Sequence, residues 1–67
     1  MSTLADVVLP LPLYKYFTYR IPSDLQEALQ IGSRVVVPFG RKKYYTAIVV
    51  RLHDVMPQGY EVKAVSY

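Results

Sequence analysis

Residues 33–50 read Ser-Arg-Val-Val-Val-Pro-Phe-Gly-Arg-Lys-Lys-Tyr-Tyr-Thr-Ala-Ile-Val-Val. Two β-branched runs flank a Pro-Phe-Gly turn and a basic, aromatic stretch, a spacing that predicts a hairpin with a short glycine-containing loop. On this reading Ser33 to Phe39 is one strand and Tyr44 to Leu52 the next, joined through Gly40-Arg41-Lys42-Lys43. The tip of such a ribbon is a place where an anion can be held.

Working outward from the hairpin, Ala5 to Leu9 is a short apolar run whose one polar member is Asp6. Pro10 ends it, because proline has no N–H to give to a ladder. The Pro10-Leu11-Pro12-Leu13 segment is a stiff connector, since each proline keeps the residue before it out of helical backbone. Tyr14 to Ile21 mixes aromatic, β-branched and polar residues and predicts a second strand with room for a bulge. Pro22 closes it. Ser23 followed by Gln26 has the spacing of a capping box, and Leu25, Ala28 and Leu29 form one apolar stripe, which together predict a helix of about two turns ending at Gly32. Downstream, Met56-Pro57-Gln58-Gly59 is a turn, and Tyr60 to Val65 is a predicted fifth strand. The fold expected from these pieces is all-β, a small five-stranded OB-like barrel with one short helix, forming a single domain over residues 1–67. An SH3-like barrel is the nearest rival.

Composition excludes several classes. A hydrophobic share of 52% and a charged share of 19% belong to a folding chain rather than a disordered tail. There are no cysteines and one histidine, so neither a disulfide framework nor a Cys/His zinc site is expected. The apolar stretches are broken well short of the roughly 20 residues that span a bilayer. No signal peptide is indicated and no membrane partner, so a cytoplasmic setting is the expectation. The net charge of +3 favours polyanionic partners only modestly.

No catalytic constellation is visible. His53 has no second histidine or cysteine to work with and reads as a solvated residue at a strand end, and Ser2, Ser23, Ser33 and Ser66 lack the partners of a triad. The segment is therefore expected to bind rather than to catalyse. Arg41, Lys42 and Lys43 beside Tyr44 and Tyr45 could neutralise phosphates and stack on unpaired bases. The same residues also suit a soluble hairpin tip that discourages edge pairing. Of Tyr14, Tyr16, Phe17 and Tyr19, at least two should be core. Gly40 serves either as a turn residue or as a place where a ligand comes close to backbone, with Phe39 beside it as a stacking surface.

Several segments recur together in one family. Val-Val-Leu-Pro-Leu-Pro-Leu at 7–13, Phe-Thr-Tyr at 17–19 with Ile21-Pro22 after it, Gly32-x-Arg34-Val-x-Val-Pro-Phe-Gly40 and Ala47-Ile-Val-Val50 stand in this order. Over nearly its whole length, from about Val7 to Val65, the chain resembles the N-terminal 3′-end DNA-binding domain of the bacterial primosomal protein N′ (PriA) family of replication-restart helicases. The resemblance implies a DNA-binding domain that is the N-terminal fragment of a longer helicase and that binds the single-stranded 3′-OH end of the nascent leading strand at stalled or branched forks. Binding there targets the helicase to DNA. In the family the ATP-dependent 3′–5′ motor, with its ATP, magnesium and zinc, lies C-terminal to this domain, so no cofactor is expected in this segment. Other primosome proteins and single-stranded DNA-binding protein are partners implied through the full-length parent.

The family's pocket for the 3′-terminal nucleotide uses a Phe-Asp pair, the glycine of Pro-Phe-Gly and a lysine near the domain's end. By motif these fall on Phe17, Thr18, Gly40 and Lys63, with Arg41, Lys42 and Lys43 as auxiliary phosphate contacts. Thr18 departs from the family's aspartate: its hydroxyl accepts a hydrogen bond without charge, and so more weakly. The competing reading is an SH3-like protein-interaction module that docks on the helicase core or another primosome subunit through its aromatic residues.

Overall fold

A computed structural model describes residues 2–12, 15–59 and 62–66. Four strands form: β1 (Leu4–Val8), β2 (Phe17–Arg20), β3 (Arg34–Pro38) and β4 (Tyr44–His53). These four strands pair antiparallel with one another, and the sheet order is β2-β1-β4-β3. The hairpin expected from residues 33–50 is present, with Val35 opposite Ala47, Val37 opposite Tyr45, and Pro38 opposite Tyr44. Its loop is closed by the Phe39 amide, which donates to the Lys43 carbonyl at 3.0 Å.

Period-two alternation decides what is buried. Ala5, Val7, Tyr19, Val35, Val37, Ala47 and Val49 turn inward and pack with Leu9, Ile21 and Val65 into one core. Asp6 sits between two inward residues of β1 and so shares the outer face, yet it is only 4% exposed because its neighbours in the sheet cover it. A register shift between Asp6 and Val7 along the pairing with β4 bends β1 at this point.

The sheet curls into a half-barrel whose two edge strands, β2 and β3, approach each other. The Tyr19 hydroxyl of β2 donates to the Pro38 carbonyl of β3 at 2.7 Å, and the rings of Phe17 and Phe39 meet edge to face at 5.0 Å. The chain's last described segment lies in the seam. The Arg20 amide donates to the Lys63 carbonyl at 2.8 Å, and the Val65 amide returns to the Arg20 carbonyl at 2.9 Å. The Ser66 amide then donates to the Val36 carbonyl at 2.8 Å, on the opposite edge. At the far end of the sheet the Thr3 amide and hydroxyl both reach Asp54, at 2.7 and 2.9 Å, and fasten the start of β1 to the exit of β4.

Three expectations are revised. The fifth strand falls partly on Tyr60 and Glu61, which lie outside the described residues, and what is described of it makes one parallel bridge, Arg20 with Ala64, rather than a ladder. The two-turn helix is a single 3₁₀ turn, Ser23–Leu25, with Pro22 at its cap position and no side-chain cap. Gln26 does not reach back to close a capping box; its side-chain Nε2 donates to the Ile21 carbonyl at 3.2 Å. So short a segment cannot repay helix nucleation, and Leu25 and Leu29 reach the core without a regular helix. Gly32 accordingly caps no helix: at φ +95° it turns the chain into β3, its amide donating to the Val49 carbonyl at 2.7 Å. Among the described residues no helix is long and apolar enough to cross a membrane.

Val65 is 3% exposed and is the apolar residue with which the tail enters the core. Val65→Ala is expected to lower unfolding free energy by about 2 kcal/mol, the usual cost of a truncated core side chain. Urea denaturation followed by circular dichroism measures this, and an unchanged midpoint would show that the tail does not hold the seam.

Candidate nucleic-acid interface

Where the edges approach, a cavity of about 460 Å³ opens. It draws on three stretches of chain: Lys15 to Tyr19 leading into and along β2, Pro38 to Gly40 at the end of β3, and Gly59 and Lys63 from the tail. Because β2 is an edge strand, a cavity along that edge takes in Phe17 and Tyr19 from one face and Thr18 from the other.

The walls are aromatic. Phe17 and Phe39 are half-buried and contact each other edge to face, and Phe39 meets Tyr45 in the same way at 6.3 Å. The Lys15 ammonium lies 5.1 Å from the centre of the Phe17 ring, within cation–π range. Lys15 and Lys63 are the charged side chains among the described lining residues, and both are cations. Gly40 has φ +74°, and a β-carbon built there would meet nothing within 4 Å. Its requirement is thus conformational, and the space beside its backbone is open.

All four residues matched by motif, Phe17, Thr18, Gly40 and Lys63, therefore lie around one cavity although they span the chain. Arg41, Lys42 and Lys43 do not line it. They stand exposed at the hairpin tip next to Gly40, with Lys42 in a left-handed conformation at φ 55°. Of the four aromatic residues expected to divide between core and surface, Tyr19 is core, Phe17 packs against it, and Tyr16 is exposed; Tyr14 lies outside the described residues. Sequence reasoning passed over Lys15 and Gly59. Lys15 carried a signal, being a cation two residues before an aromatic cavity residue, whereas Gly59 reads as turn chemistry alone.

Behind Thr18 lies a network that composition did not reveal. Antiparallel register places Thr18 of β2, Asp6 of β1 and Arg51 of β4 in one row across three strands. Thr18 Oγ1 donates to Asp6 Oδ1 at 2.6 Å, and Arg51 grips Oδ2 through Nε at 3.0 Å and a second nitrogen at 2.8 Å. His53 Nε2 lies 2.8 Å from Oδ1, and its Nδ1 accepts from the Val55 amide at 3.1 Å. An ionised carboxylate only accepts, so this arrangement is satisfied by the imidazole tautomer with its proton on Nε2. His53 ends β4 as expected, but it is largely buried against Asp6 rather than solvated. Burial pushes the Asp6 carboxyl up, but hydrogen bonds from Thr18, His53 and Arg51, with the attraction of His53, outweigh it and hold the group below 3.8, its ordinary value.

A model of the 3′DNA-binding domain (3′BD) family matches residues 6–67. The replication restart protein PriA of Buchnera aphidicola subsp. Schizaphis graminum is 47% identical over 47 residues, covering 70% of this chain. The replication restart protein PriA of Haemophilus influenzae is 48% identical over 40 residues, covering 60%. The chain spans only 6% and 5% of the lengths of these two relatives.

The low native value of Asp6 has a consequence for stability. As pH falls the unfolded chain takes up the proton first, so the stabilisation is complete above the ordinary value of 3.8 and drains away as pH drops through the lower native one. Asp6→Asn is expected to cost about 2 kcal/mol at pH 7 and to flatten the acid limb. Thermal melts from pH 7 to pH 2 compare the two; parallel acid limbs would mean that Asp6 is not the group responsible.

Proposed function

Because the chain belongs to the 3′DNA-binding domain (3′BD) family, we propose that its cavity receives the terminal nucleotide of a single-stranded 3′ end. The observation that carries this reading is the meeting of Phe17, Thr18, Gly40 and Lys63 around one cavity of about 460 Å³. That volume lies within the range of small-ligand sites, roughly 300–1,000 Å³. Phe17 and Phe39 offer aromatic faces for a base, and such stacking is tolerant of sequence. Lys63 and Lys15 supply positive charge for the phosphate leading into the terminal nucleotide. The open backbone at Gly40 lets a base or sugar edge come close, and Thr18 stands where the end group would meet β2.

Arg41, Lys42 and Lys43 lie outside the cavity and act as auxiliary contacts to phosphates further along the strand, which position the DNA without reading it. The fork-level function follows from the same reading. A domain that accepts a free 3′ end, carried by a replication-restart helicase with its own ATP-driven motor, directs that motor to the nascent leading strand of a stalled or branched fork. On this proposal the other primosome proteins and single-stranded DNA-binding protein meet the full-length parent, and the small domain itself completes a five-strand OB-like closure when its tail is engaged.

Fluorescence anisotropy with a labelled oligonucleotide tests the proposal. A free 3′-OH end is expected to bind more tightly than its 3′-phosphate counterpart, and Lys63→Ala to weaken binding about tenfold, equivalent to one charge-assisted hydrogen bond. Affinity should also fall steeply between low and high salt as counterions are released. Equal affinity for the two ends with no loss in Lys63→Ala would remove the pocket assignment. Absence of DNA binding even at low salt would instead favour a protein-interaction module.

A further inference from the structure

We infer that Tyr16 makes a second base site at the mouth of this cavity, a ring on which the base next to the 3′-terminal one stacks. The inference rests on the 3′-end reading above and deepens it.

Three of the cavity's aromatic residues come from one stretch of chain, and their exposure differs stepwise. Tyr19 is 4% exposed and belongs to the core, Phe17 is half-buried, and Tyr16 is 63% exposed. A residue that lines a cavity and still keeps most of its surface in water stands at the opening rather than on the floor. Exposed apolar residues scattered singly are common and by themselves signify nothing. Tyr16 is not scattered in this sense, because it lies between Lys15 and Phe17 and all three line the same cavity. Tyr44 makes the contrast: it is 63% exposed too, but it starts β4 on the hairpin and is not among the lining residues.

The connectivity of a strand supplies the next step. A terminal nucleotide has a neighbour on its 5′ side only, so a strand lodged by its 3′ end leaves through the mouth, and the first base outside is the penultimate one. Inside, the rings already support one another, Phe17 against Phe39 at 5.0 Å and Phe39 against Tyr45 at 6.3 Å. Outside, the ring at hand is that of Tyr16. Stacking asks only for a π-face, so such a site takes any of the four bases. Lys15, next to Tyr16 in the chain and with its ammonium 5.1 Å from the Phe17 ring, supplies the cation for the phosphate that joins the two nucleotides.

Anisotropy titrations compare a single strand ending in 3′-OH with the same strand carrying an abasic site at the penultimate position or at the fifth position from the end. For the unmodified chain the penultimate abasic site should weaken binding about tenfold, the size of one lost base–aromatic stack, and the distant one should change it little. Tyr16→Ala should bind the intact strand about tenfold more weakly and no longer distinguish it from the penultimate abasic strand. Tyr16→Phe keeps the ring and should keep the ratio, as should Tyr44→Ala, which removes the equally exposed tyrosine outside the cavity. A ratio preserved in Tyr16→Ala, or a penalty no larger at the penultimate position than at the fifth, overturns the inference. Equal affinity of the unmodified chain for 3′-OH and 3′-phosphate ends, or no binding of either, overturns instead the reading on which it rests.

Discussion

A sheet ordered β2-β1-β4-β3 has two open edges, and the described residues include no regular helix with which to cover the face between them. Everything else depends on bringing β2 and β3 together. Among the described residues the contacts that do so include the Tyr19 hydroxyl on the Pro38 carbonyl, the edge-to-face pair of Phe17 and Phe39, and a tail that hydrogen-bonds first to Arg20 and then to Val36. The tail fills one part of the seam and leaves the other. The cavity is that remaining gap, which explains why residues from β2, from the end of β3 and from the tail share it. Curling the sheet and building the site are one event, so a change that loosens the seam must also widen the cavity.

How much of this was legible in the sequence follows from the range of each interaction. The strands were legible because alternation and β-branching act over a few residues, and the hairpin because its loop residues adjoin it. The helix at Ser23 was misread for the complementary reason. Its cap and stripe signals are local and present, but a 3₁₀ turn suffices once Leu25 and Leu29 have a core to reach. Asp6 stood out in sequence only as the polar member of an apolar run: its partners lie 12, 45 and 47 residues away, and only strand register brings them to it. In sequence it is one carboxylate among five, and an acid in an apolar run gives no hint of what will cover it.

The gathering of Phe17, Thr18, Gly40 and Lys63 was legible only through family resemblance. Each has an ordinary explanation when taken alone: an aromatic core residue, a strand threonine, a turn glycine and an exposed lysine. Composition cannot bring position 17 beside position 63. The half-barrel does so because β2 is the strand on which the tail makes its parallel bridge.

On the proposed reading the Phe17 ring faces a conflict, since the Lys15 ammonium stands 5.1 Å from its centre on a face that a base would use. The energies resolve it. A cation over a ring face in contact with water is worth about 0.5–1 kcal/mol, while an aromatic face stacked on a base is worth about 1–3 kcal/mol. Lys15 lies ahead of β2 rather than within it, so its flexible stem can give up the ring without disturbing the ladder. An incoming nucleotide brings its own phosphate, which takes the displaced ammonium. On that reading Lys15 exchanges the face of an apolar ring for the charge of the entering nucleotide.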